Sequence, residues 1–259
     1  MDLGLTNKVY IVSGGSEGIG EAITRTLVEE GAKVMIVTLA ETPTIELAKE
    51  LNTEAQKVHY VLGKLPDLDL SQKAIEEAIK MFGRIDGVVN NAGVNDGASL
   101  EKGPKAFRAS VELNLFHCFD LVHYALDELK KNKGAVVNIA SKVALTGQGG
   151  TSGYAAAKGA ILGLTREWAA DLLPYHIRVN AILPAEVMTG LYQQWLSGFD
   201  DPKAAEEKVK AKIPLEHRMT SREEIAATVA FLLSNKSGHT TGQFLHPDGG
   251  YVHLDRRLT

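Results

Sequence analysis

The stretch KVYIVSGGSEGIG, Lys8 to Gly20, joins an apolar run to a glycine-rich turn and then to a helical pattern. Lys8–Ser13 reads as a strand, the turn carries glycines at 14, 18 and 20, and helical periodicity runs from Gly18 to about Glu30. Glycines at such a turn permit tight dihedral angles and close backbone approach, while the start of the helix offers free N–H groups to a pyrophosphate. The spacing, G-x3-G-x-G, differs from the G-x-G-x-x-G dinucleotide fingerprint, and a glycine-rich turn alone is an ordinary strand-to-helix connection. Its place in the first βα unit makes it a nucleotide candidate, because ligands of open α/β sheets sit at the carboxyl ends of the strands.

Outward from this unit the pattern repeats. Strands are expected at Lys33–Thr38, Lys57–Leu62, Asp86–Asn90, Gly134–Ala140, Ile177–Leu183 and Gln243–His246. Helical stretches fall at Ile45–Leu51, Ser71–Phe82, about Ala106 to Lys131, Gly153 to Leu173 and Arg222 to Ser234. Apolar strands alternating with helices imply a parallel sheet covered on both faces, an α/β doubly wound fold. No repeat, low-complexity tract or Pro/Ser-rich linker divides the 259 residues, so one domain is expected. A net charge of −4 without blocks of like charge gives no sign of nucleic acid or an anionic membrane. No apolar run approaches the roughly 20 residues of a membrane span. The N-terminus lacks a basic-then-apolar signal pattern, and Cys118 is the single cysteine, so a cytoplasmic location is expected. The eight histidines are scattered without metal-ligand spacing, and no metal is expected.

Tyr154 and Lys158 lie four apart, with Ser141 thirteen residues upstream of the tyrosine. On a helix, positions i and i+4 share a face, so phenol and ammonium can enter one pocket. A free tyrosine, with a pKa of about 10, is a poor acid or base near neutrality. A cation within about 4–6 Å lowers such a value by about 1–3 units and makes the phenol usable for an alcohol/carbonyl pair. Such pairs also occur on solvated helices, and context decides between the readings. A Ser141 nucleophile would need a histidine base and a G-x-S-x-G elbow, which Ile139-Ala-Ser141-Lys142 lacks, so hydrolysis is not expected.

The Ser13–Gly20 turn, Asn90-Asn-Ala-Gly93, Asn114, Ser141 and the Tyr154/Lys158 pair stand together in an order and spacing that resembles the short-chain dehydrogenase/reductases over nearly the whole chain. The resemblance implies a Rossmann-like subunit with strand order 3-2-1-4-5-6-7, NAD(P) dependence, and a homotetramer or homodimer. It implies Tyr154 as acid/base, Lys158 as the pKa-lowering and ribose-binding partner, Ser141 as the substrate-orienting hydroxyl, and Asn114 as the holder of a relay water. It implies cofactor contacts at Gly14, Ser16, Glu17, Gly18, Ile19, Gly20, Thr38, Lys64, Leu65, Asn91, Ala92, Gly93, Tyr154, Lys158, Pro184, Val187 and Thr189. The helices near Ala106–Lys131 and Gly153–Leu173 would meet in a four-helix subunit contact, and the tail from Tyr251 to Thr259 would reach a neighbouring site.

Val37-Thr38-Leu39 at the end of the second strand carries neither the acid that binds a ribose 2′-OH nor an arginine for a 2′-phosphate. Glu17 stands where NADP-preferring relatives often carry Arg or Lys, and its charge would repel a 2′-phosphate. NAD is therefore the expected cofactor. Lys64, in the place of the family's usual aspartate, leaves NADP open.

From about residue 187 to 213 the chain carries Tyr192, Gln193, Trp195 and Phe199 and then a charged run, which reads as a substrate lid or as aromatic packing against the body. Val94-Asn95-Asp96, Thr146–Tyr154, Pro184–Met188 and the tail Asp248–Arg256 resemble the L-fucose dehydrogenases within the family, enzymes that oxidise the anomeric C1 hydroxyl of an aldose to a lactone. Asn95, Ser141, Gln148, Tyr154, Glu186 and Trp195 are the expected substrate contacts, Trp195 by stacking on the sugar. Dehydrogenation of another secondary alcohol, 3-oxoacyl or steroid-like, and a cofactor-binding regulator without turnover are the alternatives.

Overall fold

Among the described residues seven short strands run parallel: β1 (Val9–Ser13), β2 (Lys33–Thr38), β3 (Val58–Leu62), β4 (Gly87–Asn90), β5 (Ala135–Ile139), β6 (Arg178–Ile182) and β7 (Phe244–Leu245). They form one sheet in the order β3-β2-β1-β4-β5-β6-β7. The computed structural model describes residues 2–53 and 55–254. β1, β4 and β5 are buried at every residue, as strands apolar on both faces require. Register places Ile11 beside Met35 and Val88, and Val136 beside Val88 and Val179.

The helices are α1 (Gly18–Glu29), α2 (Glu41–Leu51), α3 (Leu68–Phe82), α4 (Gly103–Val111), α5 (His117–Asn132), α6 (Val143–Thr146), α7 (Ser152–Asp171), α8 (Gly190–Leu196), α9 (Pro202–Lys210) and α10 (Arg222–Leu233). Alternation along each strand divides the core in two. Ile11, Met35, Val88 and Val136 pack on one face against Ile75 of α3, Leu121 of α5 and Ile161 of α7. Val12, Ile36, Val89 and Val137 pack on the other against Leu27 of α1, Leu47 of α2 and Val229 of α10. This is the doubly wound architecture and strand order expected from the sequence.

Three helical stretches differ most from the expected ranges. α2 begins at Glu41, with Pro43 in its first turn, where a proline is tolerated. α3 begins at Leu68 because Asp67 caps it, its side chain accepting the Leu70 N–H at 2.8 Å. The helix expected from Ala106 to Lys131 is interrupted by a π turn at Glu112–Phe116. There the Asn114 side-chain amide donates to the Ser110 carbonyl at 2.9 Å. That carbonyl is the acceptor which the residue's own N–H would use in an α-helix, so the side chain competes with the ladder and the turn widens. Among the described residues no helix is long and apolar enough to cross a membrane.

Candidate active site

The glycine turn after β1 leaves no room for side chains at its closest approach. A Cβ on Gly20 would stand 1.9 Å from the Gly14 carbonyl oxygen. The turn is stitched to the end of β4: Asn91 Nδ2 donates to the carbonyls of Ser13 (3.0 Å) and Gly14 (3.1 Å). Ser13 Oγ accepts the backbone N–H groups of Asn91 and Ala92, each at 3.0 Å. Ser13 thus organises the site although no sequence signal beyond its place before Gly14 singled it out. Below it, Asn90 Nδ2 donates to Asn138 Oδ1 (2.8 Å) and Asn138 Nδ2 to Thr165 Oγ1 (2.9 Å), a buried chain from β4 through β5 to α7.

Two features of the turn fit a dinucleotide phosphate. Ser16 is 4% exposed, and its hydroxyl finds no partner among the described residues. Glu17, the N-cap of α1, is extended and makes no side-chain cap, so it does not occupy the first-turn N–H groups of Gly18, Ile19 and Gly20. The chain returns to the same place after β6: the Thr189 methyl lies 3.4 Å from where a Gly18 Cβ would stand. Pro184 and Val187 are buried just before it. Thr38 closes β2, its Oγ1 accepting the Ala40 N–H at 3.3 Å, and after β3 Lys64 is exposed while Leu65 is buried.

The candidate catalytic residues converge on the ends of β4 and β5. Lys158, 3% exposed on α7, donates from Nζ to the Ile139 carbonyl at 2.8 Å, two residues before Ser141. Its Nζ is 5.6 Å from the centre of the half-buried Tyr154 ring. Asn114 is fully buried and accepts the Val94 N–H on Oδ1 at 2.8 Å. Gly93 passes between Asn114 and Lys158: its Cβ position is 2.9 Å from Asn114 Oδ1 and 3.3 Å from Lys158 Nζ. The Asp96 carboxylate accepts the Ser110 hydroxyl at 2.8 Å and braces the loop that leaves Gly93.

Two buried titratable groups adjoin this cluster. Burial and, secondarily, the Lys158 charge push the His117 imidazole down to about 4. Burial pushes the Cys118 thiol up to about 12, which removes thiolate chemistry from the site. Among the described residues no three His, Cys, Asp or Glu side chains gather around a metal position.

The remaining expected contacts lie around the rim. Asn95 and Gln148 are exposed on the loops after β4 and before α7. Both Glu186 oxygens are engaged, Oε1 by Lys142 Nζ and Oε2 by the Tyr192 hydroxyl. Trp195, 52% exposed, meets Tyr192 and Phe199 edge-on, with ring centres 5.2 and 4.9 Å apart. The excursion carrying α8 and α9 starts at Val187 and ends at Thr220, which bridges back to Val187. The tail residues 255–259, part of the segment expected to reach a neighbouring site, lie outside the described residues. Lys142 escaped the sequence reading because its partner Glu186 is 44 residues away.

Comparison with known proteins identifies the family. Residues 14–252 match the family model described as enoyl-(acyl carrier protein) reductase. The chain is 35% identical to an L-fucose dehydrogenase of Rattus norvegicus, covering 95% of this chain and 89% of the relative. It is 32% identical to the 3-oxoacyl-[acyl-carrier-protein] reductase FabG of Thermotoga maritima, over 96% and 99%. Among solved structures, Cj0485 dehydrogenase superposes with a TM-score of 0.95 at 44% identity, covering 100% of this chain and 99% of that one. The aldohexose dehydrogenase of Thermoplasma acidophilum does so with 0.89 at 29% identity, over 100% and 99%. With a family match across most of its length, the expected strand order and these relatives, the chain belongs to the short-chain dehydrogenase/reductases, NAD(P)-dependent oxidoreductases.

Proposed function

We propose that this enzyme oxidises the C1 hydroxyl of an aldose, L-fucose or a close relative, to the lactone, with NAD as its preferred cofactor. The observation that carries the reading is the convergence of Tyr154, Lys158, Asn114 and the end of β5 before Ser141 beside an uncapped glycine turn with an unpaired Ser16 hydroxyl. A bound nicotinamide dinucleotide supplies the hydride acceptor. Ser16 and the first turn of α1 would hold its phosphates, Thr38 and Leu65 its adenosine end, and Val187 and Thr189 its nicotinamide end. Ser141 donates a hydrogen bond to the sugar C1 oxygen and fixes it against Tyr154. Tyr154 would act as the base that takes the hydroxyl proton, and the nearby Lys158 ammonium would offset negative charge on the phenol and substrate oxygens. Asn114, held by Val94 and Ser110, presents its amide beside Lys158 so that one water can pass the proton onward.

Support for sugar comes from relatives named L-fucose dehydrogenase and aldohexose dehydrogenase, and from polar groups around the rim. Asn95 and Gln148 are free to pair with hydroxyls, Glu186 retains acceptor capacity on its engaged oxygens, and Trp195 offers a stacking face. The segment from 187 to about 213 acts as a lid. Exposed Phe116 and Phe119, at the π turn and on α5, are the apolar face through which subunits form a dimer or tetramer.

A relative named 3-oxoacyl reductase and the exposed rings of Trp195 and Phe199 support an acyl substrate as the second reading. A spectrophotometric screen of aldoses, simple alcohols and a 3-oxoacyl thioester with NAD and NADP separates the two. Aldose-dependent NAD reduction, lost by about a thousandfold in Tyr154→Phe while dinucleotide binding persists, is the expected result. Turnover of the thioester alone would replace the sugar reading, and cofactor binding without turnover of any substrate would replace the enzyme by a regulator.

A further inference from the structure

Lys142 follows Ser141 directly and is 7% exposed, an uncommon place for an ammonium. Its Nζ pairs with Glu186, whose side chain is 13% exposed, and stands 4.1 Å above the Tyr251 ring. The other Glu186 oxygen accepts the Tyr192 hydroxyl at 2.8 Å. Burial, first, and then the Glu186 charge push the Tyr192 phenol up, so it stays a donor.

The four partners come from four segments: the loop after β5, the strand end after β6, helix α8, and the turn after β7. Backbone bonds run alongside them. Lys142 N–H donates to the Pro184 carbonyl at 3.0 Å, and Thr220 N–H to that of Glu186 at 3.1 Å. Otherwise the excursion is held at its ends rather than along its helices: α8 buries only Leu196 and α9 no residue, while Ile213 and Met219 are buried and the Leu215 N–H donates to the Gly249 carbonyl at 2.9 Å. A buried ion pair adds little stability over apolar packing, yet removing one partner strands the other charge. Such a pair is better explained by what it holds in place.

We propose that Lys142 is a positioning residue that latches α8 and the C-terminal turn over Ser141, and thereby sets substrate affinity without affecting the cofactor. The inference rests on the reading of Ser141, Tyr154 and Lys158 as the active site. Glu186 is the pivot: Lys142 holds one oxygen, and the lid hangs from the other through Tyr192. Loss of the Lys142 charge frees the pivot, while the glycine turn and Val187, buried and bridged to Thr220, keep the cofactor side of the site in place.

The test uses the full chain as Lys142→Met, Lys142→Arg and Glu186→Gln, with two readouts. Tryptic cleavage of the ligand-free protein at Lys203, Lys208, Lys210 and Lys212 should quicken about tenfold in Lys142→Met and return towards the parent rate in Lys142→Arg. Substrate KM should rise about tenfold in Lys142→Met with cofactor KM within about twofold. Glu186→Gln, which keeps an acceptor for Tyr192 but removes the charge, should quicken lid cleavage likewise and serves through that readout alone if Lys142→Met does not fold, because Glu186 is itself a proposed sugar contact. Unchanged lid cleavage, or an equal rise of both KM values, overturns the latch. Proteolysis needs no turnover, so an inert parent enzyme counts against the proposed function alone.

Discussion

Gly93 runs so close to Asn114 that a Cβ on it would stand 2.9 Å from the Asn114 side-chain oxygen. Asn114 cannot swing aside, because its amide is buried and bonded to both Val94 and Ser110. Gly93→Ala must therefore displace the asparagine, the neighbouring Lys158 or the loop. A displacement of about an ångström costs up to a hundredfold when groups must be aligned. The expected outcome is a kcat lowered by about tenfold or more, with a melting temperature lowered by a few degrees because the added methyl overpacks a buried site. Steady-state kinetics beside a circular-dichroism melt checks it, and an unchanged kcat would show that the site tolerates a methyl at Gly93.

Ser16 separates cofactor binding from stability. Its hydroxyl is buried without a partner, so Ser16→Ala should leave the cofactor-free protein as stable as before, or stabilise it by up to about 1 kcal/mol. Dinucleotide affinity should nevertheless fall by about tenfold, because a hydrogen bond to a charged phosphate is lost. Denaturant unfolding and a cofactor titration read the two effects independently. Equal cofactor affinity in the variant would move the phosphate elsewhere.

Glu17 is exposed at the N-cap of α1 and takes no part in capping. Glu17→Arg replaces repulsion of a 2′-phosphate with a fork that binds it, so the kcat/KM ratio of NADP to NAD should rise about tenfold or more. The measurement is that ratio for both proteins under one salt condition. A ratio that does not move would place the adenosine ribose away from Glu17.

His117 makes stability pH-dependent. Its folded-state value of about 4 lies below the ordinary 6.5, so the unfolded chain binds a proton across that interval and the folded one does not. Stability from this group is complete above about 6.5 and declines as the pH falls towards 4, by up to about 3 kcal/mol. His117→Gln, which cannot titrate, should flatten the urea-unfolding profile between those values. Parallel profiles for the two proteins would show that the imidazole is protonated in place.

The sheet was legible because each strand is a short apolar run bounded by turn residues, and strands of that kind belong to a covered parallel sheet. Tyr154 and Lys158 were legible because four residues of helix bring them to one face whatever surrounds them. The π turn at Asn114 was not. It depends on a side chain capturing the Ser110 carbonyl, and a run such as Val111–Phe116 looks helical without that knowledge. The start of α2 was hidden by Pro43, which reads as a breaker unless the helix is known to begin just before it.

The order of apolar strands and the spacing of Gly14, Gly18, Gly20, Tyr154 and Lys158 are local properties, carried by residues near one another in the chain. They point to the family and to the turn after β1 as the nucleotide candidate. The partnership of Lys142 with Glu186, the stitching of Ser13 to Asn91 and the passage of Gly93 between Asn114 and Lys158 are not local. Each joins segments separated by tens of residues, which meet because parallel strands bring their carboxyl ends to one edge. Folding alone decides which side chains stand free there to receive a substrate and which are spent on holding the edge together.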